Sequence, residues 1–288
     1  MLALHAGDRP APSLLVSPPD FYDAHFLFNP FMSWTDRVDR RRARSQWRRL
    51  VAVLEQAGAR VEVAEADDTS AELSFTADGA FVFAPGRALL LRNDGPRGEL
   101  EPPVFKRWLE GLGYQTESLP PAYRLDGGNL VRLRSGDVLA GVKPGASGLA
   151  ERYLAKLLAR SGRRLWPVPL ADGPFLHLDT VLGVLGPRRF LVYRDGLVHR
   201  EGLDGSLPEP LAGAEVIEVS RADAERFACN VVVVGDVVVT GPISDGLARR
   251  IGRLGYAVER LDLSEFYKAG GGAKCLTLPL DTDWRWEG

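Results

Sequence analysis

The pattern of hydrophobic and polar positions along this chain repeats five times. A stretch with helical spacing closes on a glycine, and an extended apolar strand follows. A polar loop comes next, and then two apolar strands joined by a tight turn. The copies begin at Gly58, Gly113, Gly162, Gly213 and Gly255. The fourth, GAEVIEVSRADAERFACNVVVVGDVVVTG (213–241), shows the pattern clearly, and GYQTESLPPAYRLDGGNLVRLRSGDVLAGV (113–142) carries the same order of strand, loop and paired strands. Spacings of roughly fifty residues indicate a repeat architecture in which each unit buries its face against the next. The glycines suit helix C-caps, where a left-handed backbone is needed. The turn sequences SGD (135–137) and VGD (234–236) predict hairpins between the paired strands.

The fifth copy stops short of a last strand and helix. SLLVS (13–17) and a helical stretch around 35–57 stand at the other end of the chain with no glycine-led strand before them. The pattern therefore predicts a ring of five units closed by the two chain ends, a five-bladed α/β propeller folded as one domain over 1–288. Helices are also expected over 149–161 and in ISDGLARRIGRLG (243–255). The basic run RVDRRRARSQWRR (37–49) accompanies Trp47, Leu50, Val51 and Leu54 at helical spacing, so it is the solvated face of an amphipathic helix.

In every copy the polar loop falls after the first strand and before the second. These loops carry Asp78, Asp126, His177, Cys229 and Cys275. Equivalent loops of a ring converge on its axis, so carboxylates, an imidazole and a thiol are expected to meet there. Such a set suits nucleophilic catalysis on a cationic substrate. Cys275 follows three glycines and Lys274, a setting of backbone amides and positive charge that can lower a thiol pKa. Carboxylates in a dry pocket favour a planar cation, and guanidinium matches a carboxylate through two parallel hydrogen bonds. Cys229, at the head of a valine run, is expected in the core.

Composition narrows the classes. A net charge of -2 gives no basic surface suited to nucleic acid. No apolar run reaches membrane-spanning length, and MLALHAGDRPAPSLLVS lacks the pattern of a signal peptide. Two cysteines in 288 residues make no disulfide framework and fit reduced thiols in a cytoplasmic protein. The cysteines and the four histidines (His5, His25, His177, His199) have no metal-ligand spacing, so no metal is expected.

The set FTADGA (75–80), LDGGN (125–129), HLDT (177–180) and KAGGGAKCLTL (268–278) resembles the guanidino-group-modifying superfamily, the pentein fold. PPDFYDAHFLFNPFM (18–32) is similar to an N-terminal loop of its dimethylarginine-hydrolase-like and amidinotransferase-like members, with Phe28, Asn29 and Phe31 as lid residues. The resemblance implies a thiol-dependent enzyme with no organic cofactor. Cys275 would attack the guanidinium carbon, giving a covalent thiouronium. His177 would serve as acid and then base, with Asp126 positioning it or the substrate. Asp78 and Asp179 would grip the guanidinium nitrogens, Glu72 would meet the substrate's amino end, Arg97 its carboxylate, and Lys143 would assist.

The chain departs from the family pattern at Lys274, where many members have histidine, at Asn129, where aspartate is usual, and at Asp179, where dimethylarginine hydrolases often carry lysine. The reading is hydrolysis of Nω-methylated arginine to citrulline and an amine, by a monomer or homodimer. Arginine, agmatine-like amines or citrulline as substrate, and amidino transfer, are the alternatives. A pentein binding protein without catalysis is the rival from another class. A thiol protease explains neither the carboxylates nor the fivefold repeat.

Overall fold

The computed structural model describes residues 11–24, 37–133, 135–198 and 209–281. The lid residues Phe28, Asn29 and Phe31 lie outside them. Among the described residues there are five three-stranded sheets. The blade that joins the chain ends holds β1 (Ser13–Val16), β2 (Arg60–Val63) and β15 (Leu278–Pro279). The second holds β3 (Ala80–Ala84), β4 (Arg87–Leu90) and β5 (Gln115–Ser118). The third holds β6 (Leu130–Arg132), β7 (Val138–Val142) and β8 (Leu165–Pro169). The fourth holds β9 (Leu182–Gly186), β10 (Arg189–Val192) and β11 (Glu215–Glu218). The fifth holds β12 (Val232–Val234), β13 (Val237–Thr240) and β14 (Ala257–Arg260).

Each blade repeats one topology, in which the central strand pairs antiparallel with the inner strand and parallel with the outer one. A parallel pair needs a crossover. In four blades a helix supplies it: Arg40–Gln56, Arg97–Gly111, Leu149–Ala159 and Asp245–Gly252. Between β10 and β11 the described residues form only the short turns Arg194–Gly196 and Glu209–Leu211. The described residues just before Gly213 form the turn Glu209–Leu211 and not an α-helix, and residues 199–208 lie outside the described residues.

All five unit-opening glycines adopt φ between +67° and +100°. Residues with a Cβ enter that region only at a cost, which is why the pattern was visible in the sequence. The strands that follow them differ from the apolar reading. Residues 60–63, 115–118 and 257–260 are polar and largely solvent-facing, because they form the outer edge of each blade. The valine-rich inner and central strands carry the burial instead.

The helix Arg40–Gln56 shows how sequence becomes packing. Asp39 caps it, its Oδ1 accepting from the amides of Arg41 and Arg42. Its buried face, Ala43, Trp47, Leu50, Val53 and Leu54, packs with Leu14, Val16 and Phe266 in one cluster that also contains Cys275. The arginines on the other face bond to carboxylates such as Asp262 and Asp23. No helix among the described residues is long and apolar enough to cross a membrane.

The chain ends close the ring. β15 pairs with β1 through Leu14 and Leu15, and the amide of Leu280 donates to Ser13 O at 2.8 Å. Two cavities lie at the convergence of the blades. One, of about 150 Å³, is apolar and touches the inner strands of all five, including Leu278, Val82, Val131, Val184 and Val232. The other, of about 300 Å³, is polar.

Candidate active site

The polar cavity is lined by loops from the predicted positions. Glu72, Asp78, Arg97, Asp126, Lys143, His177 and Cys275 all contribute to its wall, with Phe75, Phe175 and Phe227 supplying apolar surface. Asp78 sits in a single helical turn, Thr76–Gly79, just before β3. Asp126 and His177 each precede a short turn leading into the next inner strand. Cys275 stands just before β15.

Hydrogen bonds tie most of these loops to a neighbour. Asp78 Oδ1 accepts from the amide of Gly128 at 3.2 Å, and Asn129 Oδ1 accepts from Leu178 N at 3.2 Å. Asn230 Oδ1 accepts from the amides of Lys274 at 2.9 Å and Cys275 at 3.3 Å. The amide of Ala77 donates to Cys275 O at 3.1 Å, joining the last loop to the first. Glycine is required where these loops meet most closely. A Cβ on Gly128 would lie 2.6 Å from His177 Nδ1, and one on Gly272 would lie 2.8 Å from Asn230 Oδ1. Within AGGGAKC, Gly272 thus makes room for a neighbouring side chain of the protein.

Asn230 escaped the sequence reading. Fully buried, it also donates through Nδ2 to Cys275 Sγ at 3.2 Å. Its place just before β12 corresponds to that of Asn129 before β6, and this correspondence between repeats is the signal that marks it. Cys229, beside it, is buried in an apolar cluster, and desolvation holds its thiol protonated.

His177 Nε2 lies 3.4 Å from Asp126 Oδ2, and Lys143 Nζ lies 4.0 Å from the same oxygen. Burial pulls the imidazole pKa down, but the bond and charge of Asp126 outweigh it and leave His177 above the ordinary histidine value. Asp126 moves the opposite way: burial raises it, and His177 then draws it below its ordinary value. The pair accordingly favours imidazolium beside carboxylate.

Asp78 is pushed up to about 6, mainly by burial, against the lowering effect of His177 and Arg97. Glu72 rises to about 7 by burial, although Arg97 counters it. Cys275 lies well above the ordinary thiol value, first because it is buried and then because Asp179 and Asp78 repel a thiolate; Lys274 offsets part of this. In the resting site the nucleophile candidate is a protonated thiol.

Two expectations need revising. Asp179 does not line the cavity. It is fully buried, and its Oδ2 accepts from Lys274 Nζ at 2.8 Å while lying 3.9 Å from Cys275 Sγ. Arg97, expected to meet a substrate carboxylate, already bonds Glu72 at 2.6 Å and Glu101 at 2.8 Å, with Asp78 at 3.9 Å. Glu101, unremarked in the sequence, is 1% exposed and also accepts from Ser70 and Asn93. Its signal was the spacing of four from Arg97, which places both on one helix face.

No protein-family model matches the chain. It is 34% identical over 268 residues to the bifunctional arginine dihydrolase/ornithine cyclodeaminase AgrE of a Nostoc species, covering 92% of this chain and 37% of that protein. The chain thus spans a little over one third of that bifunctional relative. It is 29% identical over 268 residues to the dimethylarginine dimethylaminohydrolase of Mycobacterium tuberculosis, covering 92% of this chain and 84% of the relative. Among solved structures, the product-bound N-terminal domain of ArgZ, an arginine dihydrolase, superposes with a TM-score of 0.85 at 28% identity, over 94% of this chain and 98% of that one. The fivefold fold and converging loops are those of the guanidino-group-modifying, or pentein, superfamily, and the chain is similar to relatives that include a dimethylarginine dimethylaminohydrolase.

Proposed function

We propose that the chain is a cysteine-dependent hydrolase of a guanidino compound, with Nω-methylated arginine as first substrate. The observation that carries this reading is one cavity lined by Cys275, the His177–Asp126 pair and Asp78. A guanidinium entering it brings positive charge beside Asp78, whose repulsion adds to burial in holding the thiol protonated, so substrate binding itself favours loss of the thiol proton to solvent. The Cys275 sulfur then attacks the guanidinium carbon. His177 gives its proton to the departing amine as the C–N bond breaks, leaving a thiouronium on Cys275. Water adds to that carbon, His177 takes its proton, and the C–S bond breaks to restore the thiol. Dimethylarginine and water thus become citrulline and dimethylamine.

Asp78 is the acid that grips the guanidinium. With Asp179 outside the cavity wall and its Oδ2 engaged by Lys274, Asp78 is the carboxylate that meets the guanidinium, and this suits nitrogens carrying methyl groups. At the far end, Glu72 takes the substrate's ammonium, while Lys143 and the shared charge of Arg97 face its carboxylate. Arginine itself is the second reading, favoured by the arginine dihydrolase names of AgrE and ArgZ. Steady-state kinetics on dimethylarginine, monomethylarginine and arginine separate them. A higher kcat/KM for a methylated substrate is expected, and a higher value for arginine establishes the second reading.

A further inference from the structure

Lys274 and Asp179 form an ion pair directly beneath the nucleophile. Lys274 Nζ lies 2.8 Å from Asp179 Oδ2, and the same oxygen lies 3.9 Å from Cys275 Sγ. Cys275 lines the polar cavity, whereas its chain neighbour Lys274 lines the apolar one. One oxygen of Asn230 fixes the amides of both residues, so thiol and ammonium are placed by the same side chain. Neither Lys274 nor Asp179 is assigned a contact with the substrate above.

We propose that Lys274 is a positioning residue that holds Asp179 as its counter-ion, keeping this acid away from the substrate and setting the charge beneath Cys275. This rests on Cys275 being the reactive thiol. A carboxylate 3.9 Å from sulfur in a dry site disfavours thiolate, and an ammonium bound to that carboxylate cancels much of the repulsion. Removing either partner alone leaves an uncompensated buried charge. Charged groups also face Cys275 across the cavity: Asp78 and His177, and further out Glu72, Arg97, Asp126 and Lys143. These are the same in every variant compared below, so a cycle over Lys274 and Asp179 isolates the pair.

The test is the rate of alkylation of Cys275 by iodoacetamide between acid and alkaline pH, read by mass spectrometry on the peptide carrying Cys275. Lys274→Met should move the midpoint up by roughly one pH unit or more, and Asp179→Asn should move it down. The double variant should return close to the unmodified protein. Wild-type midpoints in both single variants, or single effects that fail to cancel in the double, overturn the proposal. If Lys274→Met does not fold, Asp179→Asn and the double variant decide, since neither buries a lone carboxylate.

A second arm measures KM for whichever guanidine is turned over. Asp179→Asn should leave it within about twofold, whereas loss of a group gripping the substrate would raise it at least about tenfold. Alkylation needs no substrate. An inactive protein with the expected midpoints therefore removes the proposed function and keeps the ion pair, while an active one with unmoved midpoints does the reverse.

Discussion

Asp78 concentrates the tension of the site in one residue. Its carboxylate is buried and raised to about 6 from an ordinary 3.8. A carboxyl whose pKa is raised by folding stabilises the fold fully below its unfolded pKa and loses that contribution as pH rises through the folded value. Between about 3.8 and about 6 that contribution drains away, because the unfolded chain ionises there while the folded Asp78 stays protonated; above about 6 the fold carries the buried charge at its full cost. Asp78→Asn keeps the oxygen that accepts from Gly128 and removes the charge. Its unfolding free energy should match the unmodified protein near pH 4 and exceed it at pH 8 by an amount on the order of 2 kcal/mol, with the melting temperature following. Activity should be lost, since the guanidinium grip goes with the charge. Equal melting temperatures at both pH values would contradict this electrostatic account.

The residues that the sequence exposed at this scale were those with a distinctive type at a repeated position, namely Asp78, Asp126, His177 and Cys275. What it concealed were their partners. Lys274 stood out as unusual, but that its ammonium reaches Asp179, ninety-five residues earlier in the chain, follows only from the ring. Asn230 was hidden because an asparagine before a strand ordinarily serves a turn.

At the scale of elements, the helix Arg40–Gln56 is held by its apolar face rather than by its charges. Leu50 is fully buried, and its surroundings include the central strand Ser13–Val16 and the segment bearing Cys275. Leu50→Ala should cost about 2–5 kcal/mol in urea unfolding with an unchanged slope. Arg48→Ala, on the exposed face, should stay within about 0.5 kcal/mol. Comparable losses from both would mean that the arginine bonds, and not packing, secure the helix. Element order and the cap glycines were legible because left-handed turns demand glycine. The outer strands were not, since QTES and AVER gain their strand character from pairing with β4 and β13 and not from their own residues.

The whole molecule depends on closure. β15 contributes two residues to the sheet that joins the chain ends, yet it completes the fifth junction and follows Cys275 by three positions. Tyr114 OH donates to Leu280 O at 2.7 Å, tying this strand to the second blade as well. Deleting residues 278–288 should abolish cooperative thermal unfolding and expose the chain to protease throughout, because an open ring leaves β1 and β3 uncovered. A truncated protein that still melts cooperatively would show that the blades stand without closure.

The ring also explains why residues spread from 72 to 275 form one cavity, and why so much of the site could be inferred before any distance was known. Its central claim is chemical: Cys275 carries out the hydrolysis of a guanidinium. Citrulline release at neutral pH from dimethylarginine, monomethylarginine and arginine, with Cys275→Ser beside the unmodified protein, tests it most directly. The account predicts citrulline from at least one of the three and none from the serine variant. Undiminished release by Cys275→Ser, or no citrulline from any of them, would contradict it.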